Sequence, residues 1–273
     1  MYQCFSIHVQ VAEQNFSSTP ICDTLANDNN SPCLRMTMPP DHERHIRSFA
    51  RRQGKITAGQ RKARLDLAAK WVLSKPDAPI DFEALFGNRN PVVLEIGFGM
   101  GEATATIAQK NPLWNFLGIE VYPAGIGALL QRIERLGLRN IRIIEDDAVT
   151  ILRHAIAPLA LHAAHVFFPD PWPKKRHHKR RIIQAEFVSL LASRIAPEGY
   201  LHCATDWPQY ANQMLQVLLA EPWLRNHCPE GGFAERPDWR PQTKFESRGM
   251  RLGHPIADLC FRKRSSLPSP TAK

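Results

Sequence analysis

Asp170 stands in Phe167-Phe168-Pro169-Asp170-Pro171-Trp172-Pro173, where an apolar run stops and eight consecutive Lys, Arg and His residues, 174–181, begin. A carboxylate there can follow a positive charge that develops during a reaction, and a basic run beyond it can grip a polyanion. Prolines 169, 171 and 173 remove three backbone donors and favour extended conformations, so Asp170 and Trp172 are offered on a stiff turn. Trp172 suits either stacking on a base or packing beneath the loop. Other acids hold the same relation to an apolar run. Glu95 closes Pro91–Leu94, Glu120 follows Asn115–Ile119, Glu145-Asp146-Asp147 follows Ile141–Ile144, and Asp206 follows Gly199–Ala204.

Such acids need elements that bring them to one place. Short apolar runs with sharp stops read as buried strands, and the segments between them read as helices. Ile126, Leu129, Leu130, Ile133 and Leu136 form a helical stripe closed by Gly137. Further helices are expected at Leu65–Leu73, Glu102–Lys110, Ala148–Ala155, Arg181–Ile195 and Pro208–Leu219, with a last short strand at Ile256–Phe261. Past Glu221 the pattern weakens into loops rich in Pro, Gly and Trp. Alternating strands and helices predict an α/β fold with a mostly parallel sheet and its ligand site at the strand exits.

Gly97-Phe98-Gly99-Met100-Gly101 lies between the first strand and its helix, with Glu95 before it and Glu102 after it. Pyrophosphate would be repelled by that pair, so a cationic ligand without phosphate fits better than a dinucleotide. S-adenosylmethionine, with an amino group and a sulfonium, is such a ligand, and Gly97 and Gly99 allow it close to the backbone. Glu120 is placed to hold ribose hydroxyls or to cap a helix. Asp146 and Asp147 are equal candidates for an adenine contact, and either can cap the next helix. Asp206 divides in the same way between a substrate contact and a helix cap.

The formal net charge is +9, but residues 42–64 carry +7 and residues 174–181 carry +6, leaving about −4 for the rest. Charge gathered in two places points to a polyanionic partner, with a solvated leader as the plainer account of residues 42–64. Six cysteines without a Cys-x-x-Cys pair favour a reducing cytoplasm and offer neither a zinc site nor a disulfide framework; no metal is expected. No apolar run is long enough for a membrane span, and the first residues lack the build of a secretion signal. The expected order is a disordered extension over 1–40, a basic arm over 41–64, a catalytic domain over 65–263 and a disordered tail over 264–273. Met36 and Met38, just before the arm, suit an upstream start placed too early.

Six blocks, in order, carry a resemblance. They are Arg47-Ser48-Phe49 with Arg51-Arg52-Gln53-Gly54; Leu94-Glu95-Ile96-Gly97-Phe98-Gly99-Met100-Gly101; Gly118-Ile119-Glu120; Pro169 through His177; Thr205-Asp206; and Thr243-Lys244-Phe245-Glu246. On these the chain resembles the bacterial tRNA (guanine-N7-)-methyltransferase family over residues 44–263. The resemblance implies a Rossmann-like S-adenosylmethionine-dependent methyltransferase with a seven-stranded sheet and helices on both faces. It implies methyl transfer to N7 of guanine 46 in the tRNA variable loop. By position it implies cofactor contacts from Glu95, Gly97, Gly99, Glu120, Asp147 and Asp170, with Asp170 also catalytic. Substrate contacts are implied for Lys174, Asp206, Thr243, Lys244, Phe245 and Glu246, and RNA contacts for Arg176, His177, His178, Lys179, Arg180 and Arg181. Two other readings stand beside it. Asp170-Pro171-Trp172 resembles, faintly, the Asp-Pro-Pro-aromatic turn of amino-group methyltransferases, and the same fold can serve as a catalytically silent RNA-binding protein.

Overall fold

The computed structural model describes residues 48–49, 54–251, 253 and 255–267, with the side chains of 244, 245, 248 and 249 left out. These residues lie in one compact unit, His45–Lys273. The expected extension, residues 41–47 and 50–53 of the arm, the proposed later start and the last six residues lie outside the described part.

Eight strands form one sheet: β1 (Val72–Leu73), β2 (Val92–Ile96), β3 (Asn115–Ile119), β4 (Ile141–Ile144), β5 (Leu161–Phe167), β6 (Ile195–Thr205), β7 (Leu224–Asn226) and β8 (Ala257–Lys263). Their order is β1-β4-β3-β2-β5-β6-β8-β7, with only the pairings of β8 antiparallel. The resemblance implies seven strands and the sheet has eight; β1 and β7, two and three residues long, are too short to show a period.

Eight helices accompany them: α1 (Ala58–Trp71), α2 (Phe82–Phe86), α3 (Glu102–Lys110), α4 (Pro123–Leu136), α5 (Ala148–His154), α6 (Ala185–Arg194), α7 (Pro208–Ala220) and α8 (Lys244–Arg251). Alternate strand residues enter two cores. Val92, Leu94 and Ile96 of β2 pack with α5, α6 and α7, whereas Val93 joins α1, α3 and α4 on the other face. Strands covered on both faces are apolar nearly throughout, which is why β2 and β3 are wholly buried.

Several expected boundaries move. A helix expected at Leu65–Leu73 begins at Ala58, because Thr57 and Gln60 close a capping box that outweighs Gly59. The helix expected from Arg181 starts at Ala185, since Lys175–Arg180 forms a 3-10 turn instead. Asp206 does not cap α7; the Trp207 amide donates to Thr205 Oγ1 at 3.2 Å. Arg264 and Ser265, expected in the tail, are anchored to Leu224 and Glu198.

Candidate active site

Between β2 and β5 the strand order reverses, and the crevice at their C-terminal ends is where an open α/β sheet receives ligands. Glu95, near the end of β2, lies across from Gly118 of β3 and His165 of β5. The turn that follows has three left-handed glycines, Gly97 (φ 72°), Gly99 (φ 56°) and Gly101 (φ 69°). A Cβ added at Gly97 or Gly99 would meet nothing within 4 Å, so both backbones face open space. Helix α4 supports the turn from behind: a Cβ on Gly125 would fall 2.0 Å from the Gly99 carbonyl oxygen.

Two buried acids line this turn. Glu120 takes the Gly99 amide on Oε2 at 2.7 Å, and the Val121 and Tyr122 amides on Oε1 at 2.7 and 3.0 Å. Burial raises its pKa, the three amides oppose that, and the charge of Asp170 adds to it. The Asp170 loop is thus near enough for its charge to be felt at Glu120. Glu95 is 3% exposed and its Oε2 has no hydrogen-bond partner. Burial pushes its pKa up to about 7; the Thr104 hydroxyl works against that shift without forming a well-aligned bond, and Glu120 adds to it. An orphaned buried carboxylate beside two open glycines fits a cationic ligand such as S-adenosylmethionine.

At the exit of β5 the backbone is strained. Phe168 (φ 51°) and Trp172 (φ 44°), two of four non-glycine residues with positive φ among those described, flank Asp170. The loop is held from both sides: the Phe168 amide donates to the Ala204 carbonyl at 2.8 Å, and Arg181 Nε donates to the Pro171 carbonyl at 2.8 Å.

Comparison with known proteins agrees with this geometry. The Methyltransf_4 family of methyltransferases matches residues 89–259. The tRNA (guanine-N(7)-)-methyltransferase of Bordetella pertussis is 58% identical over 219 residues, 80% of this chain and 85% of that one. Its counterparts in Burkholderia cenocepacia and Cupriavidus necator are 55% identical over 227 residues and 52% identical over 226, covering 83% and 82% of this chain and 88% and 86% of theirs. The chain belongs to the tRNA (guanine-N7-)-methyltransferase family. A crystal structure of the 16S rRNA methyltransferase KamB shares the fold at 14% identity, with a TM-score of 0.50, covering 71% of this chain and 98% of that one.

The other residues singled out for this methyltransferase divide by placement. Asp206 lies at the exit of β6, next to β5 in the sheet, and is half-buried. Asp147 caps α5 through the Thr150 amide, 3.0 Å away. Asp146 takes the Asp147 amide and pairs with Lys75 at 3.3 Å. Lys174, Lys175, Arg176 and Lys179 are exposed, while His177, His178 and Arg180 are half-buried. Trp172 is engaged on two sides: its Nε1 donates to the Ser48 carbonyl of the arm at 3.2 Å, and the Arg180 guanidinium lies 4.1 Å above its ring. Arg181 is a correction. It is 2% exposed, bonded to Pro171, Gln213 and Gln209, and stacked over Tyr210, so its charge holds the loop rather than facing RNA. Of the arm's cations on α1, Lys62 pairs with Asp66 and Arg64 with Glu145, at 2.7 and 2.8 Å.

Glu246 is the second correction. It is 2% exposed, and its carboxylate takes both terminal nitrogens of Arg240. With Thr243 it closes a capping box at the start of α8, the Thr243 amide on Glu246 Oε2 and the Glu246 amide on Thr243 Oγ1. Arg240, Asp258 and His202, which complete that buried cluster, went unnoticed in the sequence. Only the Thr-x-x-Glu spacing at 243–246 hinted at it. A shallow hollow of about 320 Å³ at the other end of the sheet, lined by Pro91, Val92 and Leu161, offers Glu83 and Arg89, which pair with each other at 2.8 Å.

Proposed function

We propose that this enzyme transfers a methyl group from S-adenosylmethionine to N7 of a guanine in tRNA, position 46 of the variable loop, in the cytoplasm. The observation that supports the reading best is the crevice itself: Glu95, buried with Oε2 unpartnered beside two open glycines, and Glu120, which holds the glycine turn through the Gly99 amide. Glu95 would hold the ligand's ammonium, Gly97 and Gly99 would admit its body, Glu120 would take the ribose hydroxyls, and Asp147 would reach the adenine. When bound, that group supplies a methyl made electrophilic by the sulfonium.

Guanine N7 carries an in-plane lone pair and no proton, so no general base is required and placement supplies most of the rate. Positive charge spreads onto the purine as the new bond forms. Asp170, on a strained and doubly anchored loop, is fixed beside that charge and needs no reorganisation to stabilise it. Lys174, Asp206 and Thr243–Glu246 would orient the substrate, with Glu246 acting through the start of α8. Exposed Lys175, Arg176 and Lys179 would hold phosphates without reading sequence.

The test is methylation of unmodified tRNA followed by borohydride and aniline treatment. Cleavage after one guanine is expected. Methylated but uncleaved RNA would move the product to an exocyclic amino group, and bound but unmethylated RNA would leave a binding protein.

A further inference from the structure

Arg240 lies outside every strand-exit motif, yet it joins two carboxylates, Glu246 and Asp258, that are each 2% exposed. Its guanidinium, 1% exposed, donates from Nε to Asp258 Oδ1 at 2.8 Å and from Nη2 to Asp258 Oδ2 at 2.9 Å. The same group donates from Nη1 and Nη2 to the two oxygens of Glu246, both at 2.9 Å. Asp258 also takes His202 Nε2 at 2.6 Å. Two carboxylates from the consecutive elements α8 and β8 are thus joined by one planar fork, a geometry that lysine cannot reproduce.

The two ends of that fork differ in position. Glu246 belongs to the first turn of α8, behind Thr243. Asp258 belongs to β8 and pairs with Ala204 of β6, which pairs with Phe167 of β5 and accepts the Phe168 amide. The guanidinium also lies 5.8 Å from the ring centres of both Phe167 and Phe168. The start of α8 is therefore tied through one side chain to the rung from which the Asp170 loop leaves the sheet.

We propose that Arg240 is a positioning residue that sets residues 243–246 at their working distance from Asp170, acting through Glu246 and Asp258 and touching neither substrate nor cofactor. The proposal rests on the methyltransferase reading above, and on the substrate role of that segment. An open hollow of about 560 Å³ beside α8, lined by Arg236, Gln242, Met250, Glu246 and Asp258, gives the segment room to shift once the tie is cut.

The test compares the full chain with R240K and E246Q. Three quantities are measured: hydrogen exchange of amides 243–251, affinity for S-adenosylmethionine, and single-turnover methylation of unmodified tRNA. R240K is expected to speed exchange in 243–251 and to slow methylation about 10- to 100-fold, the cost of a misplaced reacting group. S-adenosylmethionine affinity should stay within about twofold. E246Q keeps its shape and should move the same quantities in the same direction, and it decides the matter if R240K does not fold. Unchanged exchange in 243–251, full methylation despite faster exchange, or an equal loss of cofactor affinity would each overturn the proposal. A wild-type protein that methylates no tRNA would sink the functional reading instead, while exchange and cofactor affinity would still report whether Arg240 holds α8.

Discussion

At the end of β2, Glu95 is buried with one oxygen unpartnered, whereas Glu246 in α8, equally buried, has both oxygens bonded to Arg240. Burying an unpaired charge costs several kcal/mol, and that cost is recovered when a cation arrives. A buried pair that is already closed has nothing left to offer a ligand and instead fixes geometry. On the proposed reading, one region binds and the other holds. The Asp170 loop lies between them, coupled to Glu120 on one side and to the Arg240 cluster through Ala204 on the other.

The largest expected effect falls on that loop. Asp170→Ala should lower single-turnover methylation about 100- to 1000-fold, as removal of a preorganised electrostatic group does, while tRNA affinity remains. A rapid-quench assay beside a filter-binding titration checks it. Turnover within threefold of wild type would break the assignment.

Glu95 tests the region built to bind. With its pKa at about 7, well above that of an unfolded glutamate, its proton stabilises the folded state below pH 4.5, and that stability is lost as pH rises to 7. The loss amounts to about 3 kcal/mol, with no further change above pH 7 from this group. Cation binding pulls the same pKa down, so it releases a proton. Affinity for S-adenosylmethionine should therefore fall by up to about tenfold per unit as pH drops below 7. Glu95→Gln should weaken binding and remove that pH dependence. Calorimetry in two buffers of different ionisation enthalpy checks the proton release, and equal heats in both would contradict it.

Within the basic tract the comparison becomes one between neighbours. Arg181→Ala strips partners from the Pro171 carbonyl and from Gln213 and Gln209 and empties the buried space of its own side chain, and should cost about 2–3 kcal/mol of stability. Lys175, Arg176 and Lys179 changed together to Ala should alter stability by about 0.5 kcal/mol or less. That triple change should instead flatten the log–log salt dependence of tRNA binding by about 2 to 3. Thermal melting and a salt titration on both variants check the contrast.

Much of this was legible before any coordinates. Glu95, Glu120, Asp170 and the glycine turn sit at the ends of short apolar runs, and such ends meet in a crevice by the topology of a parallel sheet. The rest depends on pairings far apart in sequence. Arg181 looks like its basic neighbours until Tyr210, Gln209 and Gln213 of α7 enclose it. Arg240 and Asp258 come from separate elements, so neither marks the other along the chain. The two-residue β1 is a strand only because β4 pairs with it.

The smallest effect isolates what a helix start does in each place. Asp81 caps α2 through the Ala84 amide at 3.1 Å, near the opposite end of the sheet, and Thr243 caps α8 through the Glu246 amide at 3.2 Å. Losing either cap should cost about 1 kcal/mol. Asp81→Ala should therefore lower the melting temperature slightly and leave the KM for tRNA alone. Thr243→Ala should show a similar or smaller stability loss, because Arg240 still holds Glu246, yet raise the KM for tRNA several-fold with S-adenosylmethionine affinity unchanged. Thr243→Ser keeps the hydroxyl and should restore it. Equal effects of Asp81→Ala and Thr243→Ala on tRNA would mean that the start of α8 is only another helix end, and the division between a binding region and a holding region would lose its second half.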